Sequence, residues 1–79
     1  MEVKLVLFGH LARLLPEGSS GNSVILSVKE GATIGEVLDD VGVPAEGRSY
    51  LTVNGERAAC TALVHEADEL RVIVPLGGG

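Results

Sequence analysis

Three consecutive glycines, Gly77, Gly78 and Gly79, end the sequence directly after the strand-like run 70–76. Glycine is favoured where the backbone takes a positive φ or where another group must approach closely. No residue follows for these glycines to connect to, so we attribute them to close approach. A thin segment that carries an α-carboxylate could enter a narrow active site. The alternative is an inert end, because termini are often disordered and linkers are often rich in glycine.

The other groups that could do chemistry are isolated in the sequence. A reactive thiol needs a cationic neighbour or a helix N-terminus, and Arg57 lies three residues before Cys60. Alanines surround Cys60, however, which favours the packing role of a small buried hydrophobe. His10 and His65 have neither His-x-x-His nor Cys-x-x-Cys spacing. We therefore predict no metal site and no bound cofactor.

The composition excludes several classes of function. The 79 residues suffice for one domain, and a net charge of −5 with a pI of about 4.8 argues against nucleic-acid binding. One Phe, one Tyr and no Trp leave few rings on which bases could stack. The apolar runs are too short to span a bilayer, so no membrane role is expected. A single cysteine and the lack of a secretion signal favour a cytoplasmic protein.

A period of two and a period of about 3.6 residues in the apolar pattern indicate the strands and helices that would carry the glycine segment. Strands are predicted at residues 3–8, 24–28, 51–53, 56–59 and 70–74. Asn54-Gly55 is the strongest two-residue signal for a hairpin. The run Leu11–Leu15 shows a short helical pattern, which Pro16 ends. The predicted order is β-β-α-β-β-β, which fits a two-layer α+β roll.

The clearest helix begins at residue 34. Thr33 and Glu36 form a capping box, in which each side chain accepts a hydrogen bond from the other residue's backbone N–H. Gly42 suits the left-handed position at the helix end, and Pro44 prevents continuation. The carboxylates on the polar side predict only a solvated surface, since no paired acid–base geometry can be argued for them. The opposite side has one apolar stripe, formed by Ile34, Val37, Leu38 and Val41.

Apolar side chains are also predicted on the sheet face that the helix does not cover. If Leu5 and Leu7 point at the helix, then Val6 and its equivalents in the other strands point away from it. A face that exposes several large apolar groups commonly marks a protein-interaction site. The alternative is a scatter of single apolar residues, which is normal on any surface. The predicted partner-binding residues on this face are Val6, Phe8, Ile25 and Ile73.

The sequence as a whole resembles the MoaD/ThiS family of ubiquitin-like sulfur carriers. The resemblance covers essentially the whole chain, and the segment after Phe8 is most similar to the small subunit of molybdopterin synthase. Its most specific parts are Glu30-Gly31-Ala32-Thr33-Ile34 before the helix, Val53-Asn54-Gly55-Glu56, and the terminal Gly78-Gly79. The resemblance implies a β-grasp fold, with four to five strands of a mixed sheet packed on one main helix. Residues 1–75 would form this domain, and residues 76–79 would form a flexible tail.

The resemblance also implies a chemistry for the tail and a set of partners. An E1-like adenylating enzyme of the MoeB/ThiF type would use ATP to join the Gly79 carboxylate to AMP. Displacement of AMP by sulfide would leave a thiocarboxylate on Gly79. A synthase resembling the molybdopterin synthase large subunit would accept this sulfur to make molybdopterin. Leu76, Gly77 and Gly78 would contact these partners, and the chain would have no catalytic site of its own.

Three alternatives remain open at the level of sequence. The sulfur could serve thiamin or another thiolated product instead of molybdopterin. The protein could be a modifier that is conjugated to lysines through Gly79, because this use shares the activation step. The domain could also be a plain interaction module with an inert tail.

Overall fold

The computed structural model describes residues 1–73 of the chain. Its strands and its α-helix are β1 (Glu2–Leu7), β2 (Ser23–Ser27), α1 (Ile34–Val41), β3 (Leu51–Val53), β4 (Glu56–Ala58) and β5 (Glu69–Val72). Two 3₁₀ helices, Gly9–Leu14 and Ala45–Gly47, follow β1 and α1 respectively. No helix within residues 1–73 is long and apolar enough to cross a membrane.

The five strands form one mixed sheet in the order β2-β1-β5-β3-β4. The pair β1 and β5 is parallel, with Leu5 opposite Leu70, and every other neighbouring pair is antiparallel. The tight β3–β4 hairpin turns at Asn54 and Gly55, where both residues have a positive φ, as a two-residue hairpin turn of this kind requires. The strand that leads to the glycine segment is therefore the central strand of the sheet.

One face of the sheet packs on α1 and forms the core. Strand residues that alternate along β1 and β5, such as Leu5 and Leu70, are almost fully buried there. They meet the apolar stripe of α1, of which Ile34, Val37 and Leu38 are buried. The period of two in the strands and the 3.6-residue period in the helix thus place their apolar sides against each other.

The ends of α1 are fixed by the signals that the sequence shows. The Glu36 N–H donates to Thr33 Oγ1 at 3.2 Å, and the Thr33 N–H donates to Glu36 Oε1 at 2.9 Å. The hydrogen bond from the Thr33 backbone, followed by the charge of Lys29, holds the pKa of Glu36 below its usual value. Gly42 ends the helix with a φ of 95°, in the left-handed region that glycine tolerates. The predicted helix is confirmed at both ends.

A non-local contact explains the glycine inside the first turn of α1. The first two helical N–H groups, on Ile34 and Gly35, donate to the carbonyl oxygens of Ala62 and Cys60 at 3.0 and 2.9 Å. A Cβ on Gly35 would lie 3.3 Å from the Cys60 carbonyl oxygen. The segment around Cys60 therefore caps the helix with its backbone, and a larger residue at position 35 would have to push this segment away by a few tenths of an ångström.

The structure differs from the sequence-based expectation at several points. The helical pattern after β1 forms a 3₁₀ helix that begins at Gly9, two residues before Leu11. A second short 3₁₀ helix, Ala45–Gly47, was not predicted. Asp39, expected to be only solvated, accepts a hydrogen bond from Arg48 Nη2 at 2.6 Å, and this bond raises the pKa of Arg48. Val74 and the proposed boundary between residues 75 and 76 lie outside the described residues.

Candidate functional site

The site is built around the end of β5, from which the chain continues toward the glycines. The Ile73 N–H donates to the Tyr50 carbonyl at 3.0 Å, and the Phe8 N–H donates to the Val72 carbonyl at 3.3 Å. These bonds place Phe8 and Tyr50 on either side of Ile73. We call these three residues the exit row. Leu76, Gly77, Gly78 and Gly79 lie outside the described residues, so their predicted roles remain predictions.

The exit row lies at one end of the sheet face that is turned away from α1, here called the open face. Alternation along β1 and β5 puts Lys4, Val6, Glu69 and Arg71 on this face. Phe8 and Ile73 are half-buried there, and Tyr50 is 41% exposed. The structure therefore brings Phe8 and Ile73 together, as an interaction surface would require.

Two of the four predicted open-face residues do not join this patch. Val6 points to the open face but is only 8% exposed, so the expectation that it is exposed is wrong. It lies between Ser23 and Arg71 in the register, and the long Arg71 side chain is within reach of a directly opposite valine. Ile25 is 59% exposed, but it lies opposite Lys4 on the edge strand β2. The row of Ser23, Val6 and Arg71 thus lies between Ile25 and the exit row.

Sequence reasoning missed the polar partners of the exit row. The Arg57 guanidinium lies over the Tyr50 ring, 4.2 Å from its centroid, and Arg57 Nη2 donates to the Ser49 carbonyl at 3.2 Å. This cation–π contact fixes both side chains at the edge of the open face. The sequence does contain a signal for Tyr50. Side chains alternate between the two faces of a strand, so Tyr50, two residues before Thr52, points to the same face as Thr52.

The charges of the open face differ from those of the whole chain. Among the strand residues of this face, three are basic, Lys4, Arg57 and Arg71, and two are acidic, Glu2 and Glu69. Arg71 Nε donates to Glu69 Oε2 at 2.8 Å, and this bond lowers the pKa of Glu69. Although the chain has a net charge of −5, a partner would meet a mixed to basic surface beside the exit row.

One buried polar atom on the open face lacks a partner. Thr52 is 8% exposed, and its Oγ1 makes no hydrogen bond within residues 1–73. In the register Thr52 lies between Arg71 and Arg57. Neither arginine donates a hydrogen bond to this hydroxyl. Arg71 donates to the Glu69 carboxylate, and Arg57 donates to the Ser49 carbonyl.

Replacement of Thr52 by valine is expected to stabilise the fold. Burial of a hydroxyl without a hydrogen bond costs about 1–3 kcal/mol in proteins, and valine has nearly the same shape. We expect the free energy of unfolding of Thr52→Val to rise by about 1 kcal/mol, as measured by chemical denaturation. Thr52→Ser keeps the hydroxyl, loses a methyl group and should be less stable than the wild type. A loss of stability in Thr52→Val would show that the hydroxyl has a partner.

The remaining candidate groups are dispersed. Cys60 is half-buried beside the N-terminus of α1 and contributes its carbonyl to the helix cap. His10 lies exposed in the first 3₁₀ helix. His65 is exposed, and its Nδ1 lies 3.7 Å from Asp68 Oδ2. Within residues 1–73 no group of His, Cys, Asp and Glu side chains could hold a metal ion.

Comparisons with known proteins agree with this architecture. The family model for the Mut7-C ubiquitin domain matches residues 1–75. A crystal structure of SAMP1 from Haloferax volcanii is 26% identical, covers 100% of both chains and has a TM-score of 0.76. A second structure of small archaeal modifier protein 1 from H. volcanii is 25% identical, covers 95% of this chain and 98% of that chain, and has a TM-score of 0.73. No curated protein sequence matches significantly.

A more distant structure shares the fold. It is a protein from Pyrococcus furiosus provisionally named molybdopterin converting factor, subunit 1. It is 18% identical, with a TM-score of 0.72, and the match covers 95% of this chain and 98% of that chain. The element order, the mixed five-stranded sheet and these structures together confirm the predicted β-grasp fold.

Proposed function

Since the chain belongs to the Mut7-C ubiquitin family, we propose that it is a ubiquitin-like sulfur carrier that bears a thiocarboxylate on Gly79. The observation that carries this proposal is the combination of a β-grasp domain with three glycines beyond its central strand β5. The full-length similarity to SAMP1 and the fold shared with a molybdopterin converting factor subunit support it.

The Gly79 carboxylate is a poor acyl donor because its oxygen is a poor leaving group, so the proposed chemistry begins with its activation. An E1-like adenylating enzyme of the MoeB/ThiF type joins the Gly79 carboxylate to the α-phosphate of ATP and releases pyrophosphate. Hydrosulfide then attacks the acyl carbon, AMP leaves with one of the former carboxylate oxygens, and a thiocarboxylate remains. A synthase of the molybdopterin large-subunit type consumes the sulfur. The sulfur is used in cofactor biosynthesis, and the proposed product is molybdopterin.

The dimensions of the chain suit delivery into a partner. Six residues follow Ile73, and an extended chain spans about 3.3 Å per residue, or roughly 20 Å in all. Each ordered residue costs about 1–2 kcal/mol of backbone entropy, so contacts elsewhere must offset several kcal/mol. The exit row would supply them, because Phe8 and Tyr50 present aromatic area directly beside the start of this segment.

Intact mass tests the proposal. The mature protein must carry a free carboxylate on Gly79, which the mass of the isolated protein establishes first. Incubation with ATP, the adenylating enzyme and a sulfur donor is then expected to add about 16 Da, as sulfur replaces oxygen at the activated acyl group. No such species in a system that adenylates the protein would overturn the proposal.

A protein modifier is the second candidate, favoured by the similarity to small archaeal modifier protein 1 over 95% of this chain. It shares the adenylation step, so mass gain alone does not exclude it. Trypsin cleaves this chain last after Arg71, so lysines that bear the eight-residue remnant 72–79 after tryptic digestion of cell extracts would support conjugation. Their dependence on this chain, tested by deletion, separates the two candidates.

A further inference from the structure

The two edges of the sheet are protected to different degrees. The β4 edge is three residues long and carries Glu56 and Arg57, which is how proteins commonly prevent pairing with another strand. The β2 edge is five residues long, with the sequence Ser-Val-Ile-Leu-Ser, and has no charge or proline. It is therefore the edge that is open to an additional strand.

The register shows which backbone groups of β2 face outward. Met1 and Val28 exchange hydrogen bonds, the Met1 amino group donating at 2.9 Å and the Val28 N–H donating at 2.8 Å. Bonded pairs alternate with non-bonded pairs in an antiparallel ladder. The residues opposite Glu2 and Lys4, which are Ser27 and Ile25, are thus non-bonded to β1. Their N–H and C=O groups point away from the sheet.

A groove lies beside this edge, between β2 and α1. Two adjoining cavities of about 470 and 250 Å³ share Val28 and Val37 in their walls. Leu14 and Leu26 extend the apolar lining of the smaller cavity. A side chain that projects from a strand added to β2 would enter this groove, because alternate residues of such a strand point toward the α1 side.

The rim of the groove on α1 is acidic. Glu36 is used in the helix cap and Asp39 is paired with Arg48. Asp40, which lines both cavities, is exposed and makes no ion pair within the part of the chain that the structure describes. Lys29, which also lines the larger cavity, is paired with Glu36 at 3.7 Å. Asp40 is therefore the unpaired charge at this rim that remains for an incoming group.

We propose that β2 and the groove bind an extended peptide segment of a partner protein, in which branched aliphatic residues alternate and lysine or arginine lies beside them. The peptide would add a strand to β2 through the backbone groups of Ile25 and Ser27. Its aliphatic side chains would fill the groove over Val28 and Val37, and its basic group would lie near Asp40. This site does not involve Gly79 or the exit row.

A second copy of this chain fits the edge less well than a basic peptide. Two β2 strands paired about a two-fold axis would place both α1 helices on the same side of the joined sheet. Each copy would bring an exposed Asp40 and a net charge of −5 to the joined sheet. Like charges in this arrangement oppose association.

Titration of the full chain with a defined peptide tests the proposal. The probe has nine residues, with alternating valine and threonine in the centre and two lysines at each end. We expect NMR shifts confined to β2 and α1, slower hydrogen exchange at the Ile25 and Ser27 amides, and a dissociation constant on the order of 1 mM or tighter. The same peptide with glutamates in place of lysines should bind about tenfold more weakly or not at all.

Variants separate strand addition from general charge attraction. Ile25→Pro removes an outward N–H that the ladder does not use, so its affinity should fall at least about tenfold, whereas Ile25→Thr keeps the N–H and should bind. Asp40→Asn should reduce the preference for lysine. If Ile25→Pro does not fold, a probe with an N-methylated central valine replaces it. Shifts spread over the open face, equal binding of both peptides, or unchanged exchange at Ile25 and Ser27 would overturn the proposal.

Discussion

Deletion of Gly78 and Gly79 is expected to abolish formation of the thiocarboxylate while leaving the domain folded. The truncated chain would end in a carboxylate on Gly77, which is chemically identical but lies about 7 Å short of the original position. A displacement of about 1 Å at a reacting group can already cost about 100-fold in rate. We therefore expect a loss of at least about 100-fold in adenylation, measured as AMP or pyrophosphate release.

The Gly78→Val variant tests the width of the tail separately from its length. This variant keeps the length and the final carboxylate but adds a branched side chain where close approach is proposed. We expect a loss of adenylation comparable to that of the deletion. Ser19→Ala, a change in the exposed turn before β2, serves as the control and should react like the wild type. Normal activation of both tail variants would show that the glycines have no part in the chemistry.

The parts of the fold with local signals were predictable. Thr33 and Glu36 report the start of α1 because the capping box lies within four residues, and Gly42 reports its end. Asn54 and Gly55 fix the hairpin, because few residues accept the positive φ that this turn needs. These features depend on neighbours in the sequence, so no knowledge of the tertiary structure is required.

The missed features depend on contacts between distant residues. Gly35 is needed because the Cys60 carbonyl approaches it, and nothing near Gly35 in the sequence indicates this. Val6 was expected to be exposed, since alternation gives the direction of a side chain but not what covers it. Arg57 and Tyr50 are seven residues apart and meet through the β3–β4 register, which the hairpin at Asn54 and Gly55 sets.

The candidate site shows the same division. The alternation of Phe8 and Ile73 predicted that both point to the open face, and the parallel β1–β5 pair places them together. The edge position of Ile25 could not be predicted, because strand order is not encoded in any one segment. The role of Gly79 rests on sequence and on similarity, so the deletion is the experiment that bears on it directly.

Replacement of Ile73 by lysine is expected to weaken the encounter with the adenylating enzyme. Ile73 is half-buried between Phe8 and Tyr50, and a lysine there would place a charge in the proposed interface. An apolar anchor at the centre of an interface is worth about 2 kcal/mol or more. We therefore expect kcat/KM for adenylation to fall about 30-fold, as measured by AMP release at several concentrations of the carrier.

The kinetic form of this loss distinguishes the exit row from the tail. Ile73 lies six residues from the reacting Gly79 carboxylate in the sequence, so its contacts stabilise the ground state and the transition state of adenylation equally. Such a loss raises KM and leaves kcat nearly unchanged, whereas tail variants should lower kcat. Leu63→Lys places the same charge at a 54% exposed leucine outside the exit row and should leave KM within about twofold. A fall in kcat alone for Ile73→Lys, or an equal effect of Leu63→Lys, would contradict the assignment of the exit row as the docking surface.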